Sequence, residues 1–276
     1  MVAIKQLVRT ALDRPAGRWL LALRGTALAS LRNRRLCRVA YGAGGWVHRY
    51  RDGVLVNGTL TMHTPDRLDT IARDICCWDY TPREGDTVID VGAGIGTEVL
   101  TFSRQVGPSG HVVAVEAHPA TFRCLQRMVE LNRLENVTPV HCALSDEPGV
   151  VRISDLDAHL SNTVLDDDGG IEVPALTLDA LAEEHGLERI DYIKMNIEGA
   201  EALAVPGMEP VIAGILNLCI SCHDFKADET GIEAMRTKAQ IAMFLRAHGY
   251  TIRTRPDDPR RYVRDYVYAT RRDSGS

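Results

Sequence analysis

Residues 87–98 read Thr-Val-Ile-Asp-Val-Gly-Ala-Gly-Ile-Gly-Thr-Glu, an apolar stretch that ends in three alternating glycines. The apolar part, residues 87–91, has the length and composition of a buried strand. Glycines at 92, 94 and 96 let the backbone turn sharply from that strand into a helix and present bare peptide groups to a ligand. The segment therefore predicts an α/β fold that binds a nucleoside-bearing molecule at this turn.

The spacing of these glycines differs from the usual dinucleotide pattern. G-x-G-x-x-G would require a glycine at position 97, where the chain has threonine, and the third glycine stands at 96. The observed G-x-G-x-G, preceded by an aspartate, resembles the first motif of S-adenosylmethionine-dependent methyltransferases. The alternative is a turn that only joins a strand to a helix. The resemblance implies S-adenosylmethionine as cofactor, bound by Asp90, Gly92, Ala93, Gly94, Gly96, Thr97 and Glu98.

Composition indicates one large domain with an appendage. The chain has 276 residues, 45% of them hydrophobic and 25% charged, which is ordinary for a globular protein. No stretch approaches the about 20 uninterrupted apolar residues of a membrane span, so no transmembrane segment is predicted. The seven cysteines are odd in number and lie mostly among apolar neighbours. They favour reduced thiols and a cytoplasmic location.

Charge divides the chain into two unequal parts. Residues 1–51 hold eleven Lys/Arg and one acid, whereas the rest holds 21 Lys/Arg and 36 Asp/Glu. Leucines between the arginines of the first part predict one or two amphipathic helices. We expect them to pack on the acidic domain or on a second copy in a homodimer, with weak contact to a membrane surface as the alternative. We thus predict a basic helical extension over 1–60 and a catalytic domain over 61–276.

From residue 66 onward, segments with strand and helix patterns alternate. Helices are predicted over 66–78, up to 106 and up to 134. Strands are predicted over 87–91, 112–116, 137–143, 192–196, 215–221, 250–253 and 266–270. Such alternation predicts a Rossmann-like seven-stranded, mostly parallel sheet with helices on both faces and a terminal antiparallel hairpin. This is the arrangement of class I methyltransferases.

Ligands of such sheets bind at the carboxyl ends of the strands, so polar residues there are the candidates. Glu116 ends the second strand, and its carboxylate is suited to accept the two ribose hydroxyls of a nucleoside. After the third strand, Leu144 is placed to flank the adenine and Asp146 to accept from its amino group. Each also has a simpler interpretation: an exposed glutamate at a strand end, and a Ser-Asp pair that begins a turn.

The fourth strand end carries the more specific resemblance. Residues 194–201 read Lys-Met-Asn-Ile-Glu-Gly-Ala-Glu, and together with Thr-Leu-Asp at 177–179 they resemble the signature of FkbM-type methyltransferases, usually K-I-D-V-E-G-A-E. This chain has Asn196 where the family generally has Asp, so no metal or proton role of that Asp is carried over. Glu198 matches the family pattern. Glu201 also matches, and serves equally well as a first-turn acid of the next helix.

The fifth strand leads into Cys-His-Asp at 222–224, where the family shows an acid followed by His. An aliphatic hydroxyl is a weak acid, so its methylation needs a base or a polarising metal ion. We predict His223 as base, with Glu198 and Asn196 beside it. A further prediction is Mg²⁺ held by Glu198, His223 and Asp224.

The FkbM resemblance implies transfer of a methyl group to a hydroxyl, and a saccharide or glycosylated metabolite is the predicted acceptor. Polar residues over 151–172 are predicted to line a saccharide groove, although acidic loops are often merely solvated. Alternatives are a non-sugar small molecule, a lipid, or a protein that binds S-adenosylmethionine without turnover. Nucleic acid is disfavoured because the catalytic part is acidic and would repel phosphates.

Overall fold

The N-terminal region of the computed structural model contains a helix followed by a small antiparallel sheet. Helix α1 spans Arg18–Asn33, and the sheet consists of β1 (Arg38–Gly42), β2 (Gly45–Tyr50) and β3 (Gly53–Asn57) in that order. The structure describes residues 13–42, 44–154, 164–165 and 170–271.

This sheet differs from the purely helical extension expected over 1–60. Val39, Trp46 and Tyr50 are buried and form a cluster with Leu21 and Ala29 of α1. The apolar alternation over 38–57 is the signal of these strands, and the arginines between the apolar residues concealed it.

The N-terminal sheet also contacts the large domain. Asn132, the last residue of a helix in that domain, accepts a hydrogen bond from the Val54 amide (2.9 Å) and donates to the Val54 carbonyl (2.8 Å). Val47, Val54 and Val56 join the apolar cluster of the large domain. The predicted domain boundary falls between β3 and the next helix, and the division itself stays a prediction.

Helices and strands then alternate through the large domain. They are α2 (Pro65–Ile75), β4 (Thr87–Val91), α3 (Val99–Val106), β5 (His111–Val115), α4 (Pro119–Asn132), β6 (Val137–Val140), β7 (Ala143–Leu144), β8 (Gly149–Ile153), β9 (Val164–Leu165), β10 (Ile171–Leu176), α5 (Leu178–Glu184), β11 (Ile190–Met195), α6 (Glu201–Ala204), β12 (Ile215–Ser221), α7 (Asp224–Thr230), α8 (Lys238–Ala247), β13 (Tyr250–Arg253), α9 (Arg261–Arg264) and β14 (Tyr266–Arg271). Short 3₁₀ turns lie at Pro206–Met208, Ile212–Gly214 and Glu233–Met235.

The seven-stranded sheet confirms the predicted fold class. Its order is β13-β14-β12-β11-β4-β5-β6, with parallel pairing from β12 to β6 and antiparallel pairing at β14 and β13. Side chains from one face of the strands, such as Ile89 and Ile193, enter one apolar cluster, and those from the other face, such as Val88 and Tyr192, enter a second. Burial on both faces explains the near-continuous apolar runs of these strands.

The strand order reverses direction between β4 and β11. The chain runs outward from β4 through β5 to β6 and later returns to place β11 on the other side of β4. The carboxyl ends of strands at such a point leave a crevice between the two outgoing connections. The glycine turn after β4 therefore faces the polar residues that follow β11.

One predicted strand was wrong in its extent. The stretch 137–143 divides into β6 in the large sheet and β7 in a second, four-stranded sheet of order β7-β10-β8-β9. Ala143 and Leu144 pair with Ala175 and Leu176 of β10 rather than continuing along β5. Hydrogen bonding to β10 is the alternative that the apolar pattern alone could not reveal. Helix α2 likewise ends at Ile75, three residues before the expected end.

Among the described helices, none combines the length and the apolar character that crossing a lipid bilayer demands.

Candidate active site

The turn after β4 has the left-handed backbone that its glycines permit. The φ angles of Gly92, Gly94 and Gly96 are 71°, 58° and 88°. A Cβ on Gly92 would lie 2.1 Å from the carbonyl oxygen of Asn196, and one on Gly96 would lie 2.1 Å from Cε of Met128. A Cβ on Gly94 would meet no atom within 4 Å. Two glycines thus allow close packing behind the turn, and the middle one faces an open cleft.

That cleft encloses about 960 Å³, including its open mouth, at the carboxyl ends of β4, β5 and β11. Among the predicted site residues, those lining it are Gly92, Gly94, Thr97, Glu98, Glu116, Leu144, Asn196 and Glu198. The predicted residues outside its lining are Asp90, Ala93, Gly96, Asp146, His223 and Asp224. The sequence-predicted site thus separates into residues at the cleft surface and residues behind it or away from it.

Asp90 lies behind the turn, where it is fully buried beside Lys194 of β11. The Lys194 ammonium is 2.9 Å from Asp90 Oδ1 and donates a hydrogen bond to the Gly92 carbonyl at 2.9 Å. Burial raises the pKa of Asp90 to about 6 against the opposing charge of Lys194. Burial would lower the pKa of Lys194, but the carboxylates of Asp90 and Glu98 outweigh it and raise that pKa. Near neutral pH the pair is therefore charged and holds the turn against β11.

Glu116 follows β5 and reaches across to the glycine turn. One carboxylate oxygen accepts from the Gly94 amide (2.9 Å), and the other accepts from the His118 amide (2.8 Å). Burial raises the pKa of Glu116, and these two amides partly offset the shift. Each oxygen of a carboxylate has about two acceptor positions, so further hydrogen bonds can be accepted on the cleft side.

The third strand end supplies an apolar wall and not a second acid. Leu144 is buried and lines the cleft together with Cys142 and Ile153. Asp146 is exposed outside the lining, and its Oδ1 accepts from the Ser145 hydroxyl at 3.0 Å. Much of the polar stretch 151–172 expected to line a groove lies outside the described residues.

Buried ionisable side chains follow β11 and β12. His223 Nδ1 is 3.1 Å from Oε1 of Glu201, and His223 Nε2 is 3.6 Å from Oε2 of Glu198. Burial works to lower the pKa of His223, but the hydrogen bond and charge of Glu201 and the charge of Glu198 outweigh it. The pKa of His223 is therefore raised, and the imidazole is a stronger base than a free histidine.

Glu198 stands between His223 and the cleft in an unusual backbone conformation. Its φ is 59°, a left-handed value that a non-glycine residue adopts at an energetic cost of about 1–3 kcal/mol. Its carboxylate forms an ion pair with Lys226 of α7. Beside it, Asn196 lines the cleft, and its buried Oδ1 accepts no hydrogen bond from the described residues. The strained loop thus directs an acid and an amide toward the cleft.

Asp224 is directed away from this group. Its Oδ1 accepts from the amides of Thr237 (3.0 Å) and Lys238 (3.1 Å), at the beginning of α8. Across the ranges that the structure describes, no three His, Cys, Asp or Glu side chains are grouped as metal ligands. The proposed third ligand of a magnesium ion is thus engaged in holding α8.

Lys194 and His118 were not among the candidate site residues, and Glu201 was a candidate that served equally well as a first-turn acid. Lys194 could have been found as a lysine inside an otherwise apolar strand, a position that demands a buried partner. Glu201 was weighed as a first-turn acid, yet it is fully buried, accepts from the Ile197 amide at 3.0 Å and faces His223. His118 also lines the cleft.

The sheet order and the glycine-lined cleft define a class I S-adenosylmethionine-dependent methyltransferase. Such a cofactor fits the residues present, because a Cβ at Gly94 would enter the cleft and the Glu116 carboxylate keeps acceptor positions there. The family model described as "Methyltransferase FkbM domain" matches residues 90–252, more than half of the chain. The chain belongs to the FkbM methyltransferase family, which confirms the resemblance drawn from the strand-end motifs.

Individual proteins show more distant similarity. Methyltransferase 1 of Beauveria bassiana is 25% identical over 187 residues, which are 57% of this chain and 75% of the relative. A protein-L-isoaspartate O-methyltransferase of Methanothrix thermoacetophila is 40% identical over 58 residues, which are 21% of this chain and 28% of that protein. The crystal structure of an FkbM methyltransferase from Methylobacillus flagellatus has a TM-score of 0.49 at 17% identity, covering 70% of this chain and 45% of the other.

Proposed function

We propose that this methyltransferase acts on a hydroxyl group of a saccharide or glycosylated metabolite. The observation that carries the proposal is the buried Glu201–His223 pair, which lies behind Glu198 at the cleft. A base is needed for an aliphatic hydroxyl and not for a carboxylate, which is already ionised near neutral pH. The choice of a saccharide rests on the family resemblance.

The cofactor side of the cleft is assigned to the β4 and β5 ends. We propose that the turn residues Gly92, Gly94, Thr97 and Glu98 contact S-adenosylmethionine, which when bound supplies an electrophilic methyl group. Glu116 would accept its ribose hydroxyls. Leu144 would pack against the adenine, whereas Asp90 and Gly96 would support the turn from behind. These assignments follow from which residues line the cleft.

The acceptor side is assigned to the β11 and β12 ends. The hydroxyl would donate its one hydrogen bond to Glu198, and Asn196, which lines the cleft beside it, would contact the rest of the acceptor. As the oxygen bonds to the methyl carbon and the bond from that carbon to the cofactor sulfur breaks, the hydroxyl proton would pass by way of Glu198 to Nε2 of His223. Glu201 would then stabilise the protonated imidazole at Nδ1, because it is buried and negatively charged. Holding the acceptor in place would contribute further, since positioning is worth up to roughly 7–11 kcal/mol.

Proton transfer without a metal is the preferred version of this scheme. A magnesium ion would be held by Glu198 and His223, and Asp224 would have to release two backbone amides to join them. We therefore expect a chelator to leave the rate unchanged. Loss of activity on chelation, with recovery on adding Mg²⁺, would instead support the metal-assisted version.

The experiment that tests the proposal is transfer of a labelled methyl group to a panel of acceptors, with the His223→Ala variant as control. Labelling of saccharide hydroxyls by the native enzyme only is the expected result. Labelling of a phenol, lipid or RNA in place of saccharides would contradict the acceptor class. Cofactor binding by calorimetry without any transfer would contradict catalysis.

A reducing compartment is part of the proposal. All seven cysteines fall in the described ranges and are buried free thiols. Burial raises the pKa of Cys77 to about 11 and of Cys142 to about 12, so neither thiol ionises readily. The cytoplasm is the compartment in which such thiols persist.

A further inference from the structure

Helix α1 has one face that the protein itself covers. Leu21, Gly25 and Ala29 are buried against the N-terminal sheet rather than against the acidic domain. A Cβ on Gly25 would lie 3.2 Å from Leu60 and 3.3 Å from Val39, so the helix lies close to β1. The other face of α1 is left outside this contact.

That outward face is apolar over its length. Trp19, Leu23 and Leu31 are 59%, 61% and 77% exposed, and Leu20 and Leu28 are each 43% exposed. At about 100° per residue these five side chains fall within one half of the helix circumference. Contiguous exposed apolar groups of this extent mark a contact surface rather than a surface that meets only water.

The charges around this apolar face are mostly positive. Residues 14–38 contain seven arginines and no acid. Asp13 pairs with Arg18 at 3.0 Å, and Arg35 pairs with Asp52 at 3.1 Å and with Asp66, so two of these arginines are locally compensated. Arg24 and Arg32 are exposed beside the apolar stripe, and neither makes a hydrogen bond or ion pair within the described ranges. The face therefore suits a partner that is both apolar and anionic.

We propose that α1 docks on the surface of an anionic lipid bilayer. Trp19, Leu23 and Leu31 enter at the level of the headgroups, and Arg24 and Arg32 contact lipid phosphates. Tryptophan favours this boundary because its ring is apolar and its N–H is polar. The inference goes beyond the proposed function and does not depend on the acceptor.

A second copy of the chain suits the face less well. A two-fold contact through α1 brings the same patch of both copies together, so arginines would face arginines. Like charges held close in this way oppose association. The homodimer predicted from the sequence is therefore an outcome to be tested and not the expected occupant.

The first experiment mixes the full chain with phosphatidylcholine vesicles, with or without phosphatidylglycerol. We expect co-sedimentation only with the anionic vesicles, a blue shift of tryptophan emission, and loss of binding as salt is raised. Trp19→Phe should bind equally and lose most of the emission shift, because Trp46 is buried and Trp78, although 43% exposed, lies away from α1 against Tyr268 in the large domain. Failure of the native chain to bind anionic vesicles would overturn the proposal.

Variants locate the contact. Arg24→Gln with Arg32→Gln should weaken vesicle binding by about fivefold per arginine, and Leu23→Ser with Leu31→Ser by at least about tenfold. The matched control is Met243→Ser with Arg246→Gln, a pair of exposed residues on α8, which should bind as the native chain does. Equal effects from both helices would contradict a role of α1. A dimer that the leucine changes dissociate, without vesicle binding, would assign the face to a second copy.

Discussion

The two sides of the cleft are formed by different kinds of chemical groups. On the β4–β5 side, left-handed glycines and the amide of Gly94 form the surface, and Glu116 is held by backbone groups. On the β11–β12 side, the surface depends on buried charged side chains, above all Glu201 and His223. The proposed cofactor side thus depends on backbone groups, and the proposed acceptor side depends on paired ionisable side chains.

The glycine turn and the buried ionisable side chains respond differently to substitution. A glycine turn is destabilised when a substitution adds a Cβ that collides with neighbouring atoms. The size of this effect therefore differs from one glycine to the next. A buried ion pair is disrupted when one partner is removed, because the remaining buried charge is then unpaired and destabilises the fold. Variants on each side therefore separate effects on cofactor binding and folding from effects on proton transfer.

The largest expected effect is on the acceptor side. His223→Ala should lower kcat about 10²- to 10⁴-fold, the usual contribution of a general base, and leave the Kd for S-adenosylmethionine unchanged. Single-turnover rates and calorimetry measure the two quantities. His248→Ala, a change of the histidine that directly follows helix α8, is the control. Full activity of His223→Ala would remove the base from the scheme.

The next effect is on the cofactor side and contrasts two glycines. Gly92→Ala places a methyl group 2.1 Å from a backbone oxygen and should lower the free energy of unfolding by about 3 kcal/mol or more. Gly94→Ala meets no atom within 4 Å, so about 1–2 kcal/mol of left-handed strain is expected together with weaker cofactor binding. Urea unfolding and calorimetry compare them, with Gly58→Ala as control. Equal destabilisation by both would break the distinction.

A third substitution tests Glu116, the acid after β5 that accepts a hydrogen bond from the Gly94 amide of the turn after β4. Glu116→Gln should raise the Kd for S-adenosylmethionine about 10- to 100-fold, since hydrogen bonds to a charged acceptor are worth about 1.5–3 kcal/mol. Calorimetry measures the affinity. Glu147→Gln, the same change at an exposed position, should have no effect. An unchanged Kd in Glu116→Gln would place the ribose elsewhere.

The smallest expected effect is a displacement of the pH profile. The base must be neutral, so kcat should rise as pH increases through the raised pKa of His223. In Glu201→Gln the lowering effect of burial is less opposed, and the pKa seen by NMR and in the kcat profile should move to lower pH. A pKa that stays in place would mean that Glu201 has only a structural role.

Much of the framework was readable from the sequence. Seven strands, their mostly parallel pairing and the closing hairpin follow from apolar runs separated by helical periodicity. Glu116 was found because a carboxylate at the second strand end follows the glycine turn at a familiar distance. Asp146 and Asp224 were less predictable: both follow strands, yet one points to solvent and the other caps α8. The end of a strand fixes the position of a residue's backbone. The neighbouring helices decide the direction in which its side chain points.

The sequence by itself determined the glycine turn, because the left-handed backbone there requires residues without a Cβ and these are read directly from positions 92, 94 and 96. Only the tertiary structure decided that Glu201 contacts His223, because Glu201 follows β11 and His223 follows β12. Their electrostatic attraction becomes strong only when folding buries both side chains away from water. It also decided which face of α1 is covered, because the N-terminal sheet takes Leu21 and Ala29 and leaves Trp19 and Leu31 exposed. The backbone conformation of a turn can be predicted from consecutive residues, whereas the pairing of buried charged groups requires the completed fold.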